Sequence, residues 1–306
     1  MGNIAQVWAV PALNLPVRLE LATGVSIACV LAEPPNGPPF NALLIQSQTS
    51  SANLHHPPEQ DFRRIGQVLS RLSFTLLCAF QVISARIIPM GLKEGDPVEE
   101  VVFPGPPPGI ALFESKVGYR KSLRIDLSFL EGALQPEVES AISWFTIGNL
   151  APNSVHQVLC HWIGLESLAP IVTGPWQCSE CHGEVPQCPH CQVPTVGPKT
   201  VRSIRDFLEN SLGVSRKEYK SLYQLRCKIS HGGLAMDPDG IDKASQKAFR
   251  IQELLLWGIK KRLGWPAELP PLIEAQGMRL VGVPGLVFQT TVTGAKFYEQ
   301  PGVYPA

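Results

Sequence analysis

Cys178, Cys181, Cys188 and Cys191 form two CxxC pairs separated by six residues, and this array constrains the chain more tightly than any other feature of it. Each pair sets two thiols on one tight turn. Bringing the turns together offers four sulfurs at about 2.3 Å from a shared ion, in the tetrahedral arrangement that zinc takes. A four-thiolate shell leaves no open position, so the expected Zn2+ is structural rather than catalytic. Zinc binding is worth about 10–16 kcal/mol in isolated fingers, enough to fold a segment with almost no core of its own. Two disulfides or an iron centre are the alternatives, and a reduced compartment favours zinc. The other cysteines support such a compartment: Cys29, Cys78, Cys160 and Cys227 are scattered among apolar neighbours, as buried thiols are. His182 and His190 adjoin the ligands but are read as bystanders, because the cysteine set is complete.

Around this array the chain divides by composition. At 306 residues it can bury a real core in two modest domains. Its 29 prolines gather at 34–39, 97–108 and 266–305, where they mark connectors. The expected class is α+β: a strand-rich domain over 1–133, an all-α helical domain over 134–264 with the zinc knuckle inserted at 174–195, and a Pro/Gly-rich C-terminal extension over 265–306. No apolar run approaches the roughly 20 residues that span a bilayer, and the N-terminus has no secretory leader, so a cytoplasmic protein without membrane contact is expected. Lysine plus arginine and aspartate plus glutamate both number 26, which excludes a general field for nucleic acid. A local one remains between Lys199 and Lys228, where eight basic residues face three acids.

In the first region Val17, Leu19 and Leu21 alternate up to a Thr23-Gly24 turn and continue through Val25 and Ile27, which predicts a hairpin. Further strands are expected at 74–82, 99–103 and 123–129. Residues 46–61 carry little apolar content and read as a mobile loop, with His55 and His56 merely exposed on it.

From residue 135 the period becomes helical. Val138, Ala141, Ile142 and Phe145 follow Pro136, with Gly148 near the exit. Asn153 is a fair N-cap for a second helix whose stripe runs Val155, Leu159, Trp162, Glu166, with Val158 and Leu165 beside it. An inward carboxylate at Glu166 needs a partner, and Arg226 is the natural one. A third helix carries Val201, Ile204 and Leu208 and stops at Gly213. Ser215 and Glu218 form a capping box for a fourth, with Tyr219, Leu222, Arg226 and Ile229 on one face and an end near His231. A fifth, from about Ile241 to Leu263, buries Ala244, Ala248, Ile251, Leu255 and Ile259, and Lys260, Lys261 and Arg262 suit its negative end. Beyond Trp265 one strand is expected at 280–288.

Arg226 stands five residues before His231 and just ahead of Gly232-Gly233. Five helical residues rotate by about 140°, so the two side chains share a side only if the helix ends and His231 swings back along it. The run from Leu222 to Gly233 resembles the signature of the HEPN superfamily of helical bundles, found in prokaryotic ribonucleases and toxins. Ala141–Phe145 and Trp162–Leu168 resemble the first two helices of its Apea-like and MauJ-like branch, whose members often carry a cysteine knuckle before the R-x4-H. The resemblance covers about residues 135–264. It implies a homodimer that cleaves RNA without metal, in a defence or toxin setting, with His231 as general base or acid, Arg226 on the phosphate and Glu166 beside it. It equally implies non-catalytic modules that bind a protein partner. Cys227 stands where many active members have Asn, Asp or His.

Overall fold

The computed structural model describes residues 3–10, 12–14, 18–32, 40–49, 59–76, 80–89, 99–102, 123–177, 183–234, 238–265 and 287–293. The chain separates into two units, Met1–Leu134 with Ile273–Ala306, and Gln135–Leu272. The class is α+β. No helix among the described residues is long and apolar enough to cross a membrane.

The first unit is built on a six-stranded antiparallel sheet. Its strands in chain order are β1 (Asn3–Val10), β3 (Leu19–Glu20), β4 (Val25–Ala32), β5 (Phe40–Thr49), β6 (Gln81–Pro89) and β7 (Glu99–Val102), arranged β3-β4-β5-β1-β6-β7. The expected Thr23-Gly24 turn joins β3 to β4, with the Leu21 amide donating to the Val25 carbonyl at 2.8 Å. One face of the sheet buries Ala5, Val7, Ile27, Leu43 and Ile45 almost completely. The helix α1 (Glu59–Leu76) packs on β1 and β5 and buries Ile65, Val68, Leu69 and Leu72.

Two expectations fail here. Phe74 belongs to α1, and the strand begins only at Gln81. Gln46–Thr49 is the end of β5, and Glu59–Asp61 opens α1, so neither end of the expected loop is a loop. β5 pairs with β1 as far as Thr49 and with β4 as far as Ser47, so this end is held in the sheet whatever its side chains, and Ser47 and Thr49 are buried at 3% and 6% exposure. His55, His56, Cys78 and Phe103 lie outside the described residues.

Arg71, 6% exposed, donates to the carbonyls of Phe129, Leu130 and Gly132 around the short helix α2 (Leu127–Glu131), which follows β8 (Leu123–Asp126). The expected strand at 123–129 therefore ends at Asp126. A second sheet is parallel: β12 (Val287–Thr293) lies between β2 (Ala12–Asn14) and β8. The described strand of the C-terminal region thus pairs within the first unit and starts at Val287.

The second unit is helical. Its elements are α3 (Pro136–Leu150), α4 (Ser154–Leu168), α5 (Thr200–Asp206) continued by a π-turn at Phe207–Ser211, α6 (Arg216–Ser230) and α7 (Pro238–Leu263). α3 and α4 form an antiparallel hairpin against α7, with α5 and α6 on α4. Asn153 caps α4 as expected, its side chain accepting from Val155 and His156 amides at 3.1 Å. The buried stripe of α4 is Val155, Val158, Trp162, Leu165 and Leu168, and Leu159 is only half-buried, because α3 and α7 grip the Val158 and Leu165 side. Gly148 lies near the exit as expected, its carbonyl accepting from the Ala151 cap amide. It sits inside α3 where an added Cβ would lie 2.3 Å from the His161 ring, and that fully buried imidazole stacks on Phe145.

All five expected core residues of α7 are buried. The basic end of α7 ties neighbouring segments: Arg262 donates to the Leu168 carbonyl and Lys261 to that of Ser211, each at 2.6 Å. Ser215 caps α6 by accepting from the Glu218 amide at 3.2 Å, but the reciprocal half of the box is absent. The Glu218 carboxylate goes instead to Arg250 on α7 at 2.7 Å, a charge-assisted partner that outcompetes an exposed amide.

Candidate functional site

Three pieces of the helical unit carry chemistry: the Arg226 side of α6, its opposite side, and the cysteine ribbon between α4 and α5. On the first, the apolar spacing of α6 buries Tyr219, Leu222 and Leu225 and leaves Arg226 at the margin of the core. There a guanidinium nitrogen lies 3.4 Å from Glu166 Oε1 on α4, with the two side chains 29% and 22% exposed. The same oxygen accepts from Trp162 Nε1–H at 2.8 Å. The expected pairing of Glu166 with Arg226 is present, and the expected Arg226 face is shifted: Leu225 is more buried than Arg226 or Ile229.

Two aromatics complete this cluster: Trp162, expected on the Glu166 stripe, and Tyr223, to which the sequence reading gave no role. Trp162 is fully buried, and Tyr223 tilts against it at 6.1 Å between centroids while stacking on Tyr219 at 5.7 Å. Burial, and then a hydrogen bond with the Cys227 thiol, raise the Tyr223 phenol above its ordinary pKa. Burial pushes Tyr219 up to about 12, and its hydroxyl donates to the Val201 carbonyl. Trp162 precedes Glu166 by four residues, and the two share a helix face as the expected stripe has them.

His231 lies elsewhere. Its amide still donates to the Cys227 carbonyl at 3.0 Å, so its Cα keeps the helical position, while its own φ of −100° and ψ of 12° already leave the helix and Gly232 follows with a φ of 69° that suits a residue without Cβ. The rotation of about 140° from Arg226 is therefore retained. No hydrogen bond joins the imidazole to the guanidinium, whose partner is Glu166. His231 falls instead on a stripe with Lys217, Lys220, Gln224 and Lys228, recurring at three, four, four and three residues. All five side chains are exposed, and none forms a hydrogen bond or ion pair among the described residues. The basic run from Lys199 to Lys228 is thus split, since Arg202 and Arg205 are both tied to Asp206.

The ribbon is a small antiparallel sheet with β9 (Thr173–Gln177) between β10 (Glu184–Val185) and β11 (Val196–Pro198). β9 ends at the residue before Cys178, and Cys178 and Cys181 lie outside the described residues. The second turn is described. The Cys188 amide donates to the Val193 carbonyl and its carbonyl accepts from Gln192, which adopts a φ of 58° to close the turn. The Cys188 sulfur accepts from the backbone amides of Cys191 and His190, and these lower its pKa. Hydrogen bonds that favour the thiolate are what a metal-binding sulfur requires, so this half of the donor set fits zinc. Cys188 and Cys191 form no disulfide. The described residues of the ribbon contain no buried side chain: Trp176, Val193 and Val196 are 63%, 59% and 57% exposed.

Comparisons of this chain with protein-family models, with curated proteins and with solved structures find no match.

Proposed function

We propose that the unit Gln135–Leu272 is a non-catalytic, HEPN-like and MauJ-like interaction module whose inserted ribbon is held by a structural zinc ion on Cys178, Cys181, Cys188 and Cys191. The observation that carries this reading is the closure of Arg226 onto Glu166. A guanidinium that offers charge to a phosphodiester must meet it with free donors near the proton-transfer group. Here the guanidinium spends a donor on a carboxylate that is itself fixed by Trp162, and the imidazole makes no hydrogen bond to either group. Zinc would supply no reaction step; its thiolates would replace the apolar core that the ribbon lacks.

The second reading is a metal-independent endoribonuclease whose site is completed across a homodimer by Arg226 and His231. It is favoured by the free, exposed imidazole on a lysine-bearing stripe, which a second copy could meet. RNA incubated with the purified chain in excess chelator separates the two. The module reading expects no cleavage by the wild type; cleavage that disappears in both His231→Ala and Arg226→Ala establishes the nuclease instead. For the ribbon, metal analysis of protein purified under reducing conditions should find one zinc per chain. A value well below one removes the zinc from this reading.

A further inference from the structure

Most cations of the helical unit reach an acceptor: Arg226 meets Glu166, Lys247 the Ser221 hydroxyl, Arg250 Glu218, Lys261 the Ser211 carbonyl and Arg262 that of Leu168. On the outer side of α6 this pattern stops. Arg216, Lys217, Lys220 and Lys228 are exposed and reach no acceptor among the described residues. The core does not need them there, because α6 packs through Tyr219, Leu222 and Leu225.

Their placement works against the helix that carries them. Arg216 and Lys217 open the first turn of α6, where the positive end of the helix dipole disfavours cations. Lys220 follows Arg216 by four residues and Lys217 by three, the spacings at which like charges on a helix repel. The single acid of α6, Glu218, is held by Arg250 and offers them no relief. From α7, Lys247 brings a further ammonium to the edge of the stripe, 2.6 Å from the Ser221 hydroxyl. Self-repelling charge that the fold neither uses nor compensates is complementary to a row of carboxylates.

We infer that this side of α6 docks an acidic helix of a protein partner, whose carboxylates, three and four residues apart, accept from Lys217, Lys220 and Lys228. The inference rests on the interaction-module reading and names the chemistry of the partner. From Lys217 to His231 the stripe rises about 21 Å in a straight line, and carboxylates along one face of a second helix recur with the same rise. The stripe suits nucleic acid less well. It carries no Phe, Tyr or Trp on which a base could stack, and its cations are lysines, which lack the planar fork that matches a phosphate.

The probe is a labelled alanine-based helical peptide with glutamates three and four residues apart along one face, titrated with the full chain at low salt and followed by fluorescence anisotropy. It should bind saturably, severalfold more tightly than a peptide of the same composition with its glutamates spread around the helix, and a glutamine version should not bind. Lys220→Gln together with Lys228→Gln should weaken binding about tenfold. Lys217→Glu should weaken it as well while raising the thermal midpoint of the free chain by about 2 °C, the opposite of what a structural lysine would do. Equal binding of the two glutamate peptides, wild-type affinity in the double variant, or tighter binding of a single-stranded RNA through the same lysines overturns the inference. Cleavage of RNA decides the module reading separately, so a chain that neither cleaves RNA nor binds the peptide loses this inference alone.

Discussion

The two sides of α6, together with its cap residue His231, do opposite things. One closes Arg226 against Glu166, Trp162 and Tyr223 in a half-buried cluster; the other holds Lys217, Lys220, Lys228 and His231 in solvent with no partner among the described residues. A cation and an imidazole five residues apart read as one motif along the chain. At the end of α6 they have different surroundings, and the contacts of each decide what its residue can do.

The contrast can be broken by substitution on either side. Trp162→Ala should be the costliest change, losing about 3–5 kcal/mol in denaturant unfolding, because it empties a fully buried ring site and removes the donor to Glu166. Arg226→Met should cost about 1–2 kcal/mol, the usual size for a half-buried carboxylate losing one of its partners. Tyr219 sharpens the same side through pH. Its pKa is raised from 10.0 to about 12 in the folded chain, so its contribution is complete below pH 10 and is lost as pH rises toward 12. Tyr219→Phe should flatten that alkaline part of a stability profile. His231→Ala should change stability by less than about 0.5 kcal/mol, as exposed positions without partners do. A large loss there would place His231 in the packed cluster.

Much of the helical unit is legible in the sequence because its signals are local. Asn153 and Ser215 cap helices through their own side chains, and the apolar periods of α3 and α7 name their buried residues. The misreadings are non-local. Ser47 and Thr49 look like loop residues until the ladder with β1, joined at Ser47 by β4, is seen to hold them, and Glu218 looks like a capping residue until Arg250 arrives from α7. The helix α1 is a different case, since Ile65, Val68, Leu69 and Leu72 carry a plain helical period of their own just beyond the polar stretch. At the site, the Glu166–Arg226 pair could be anticipated from a carboxylate on an apolar stripe. That His231 keeps its helical position to the last hydrogen bond could not, because the glycines beyond it permit either course.

Double-mutant cycles on folding stability test the separation of the two sides most directly. Arg226→Met combined with Glu166→Gln should show coupling of about 0.5–1.5 kcal/mol, and Arg226→Met combined with His231→Ala should show none within error. Coupling of Arg226 to His231 as large as its coupling to Glu166 would contradict the account, because it would mean that the two groups meet.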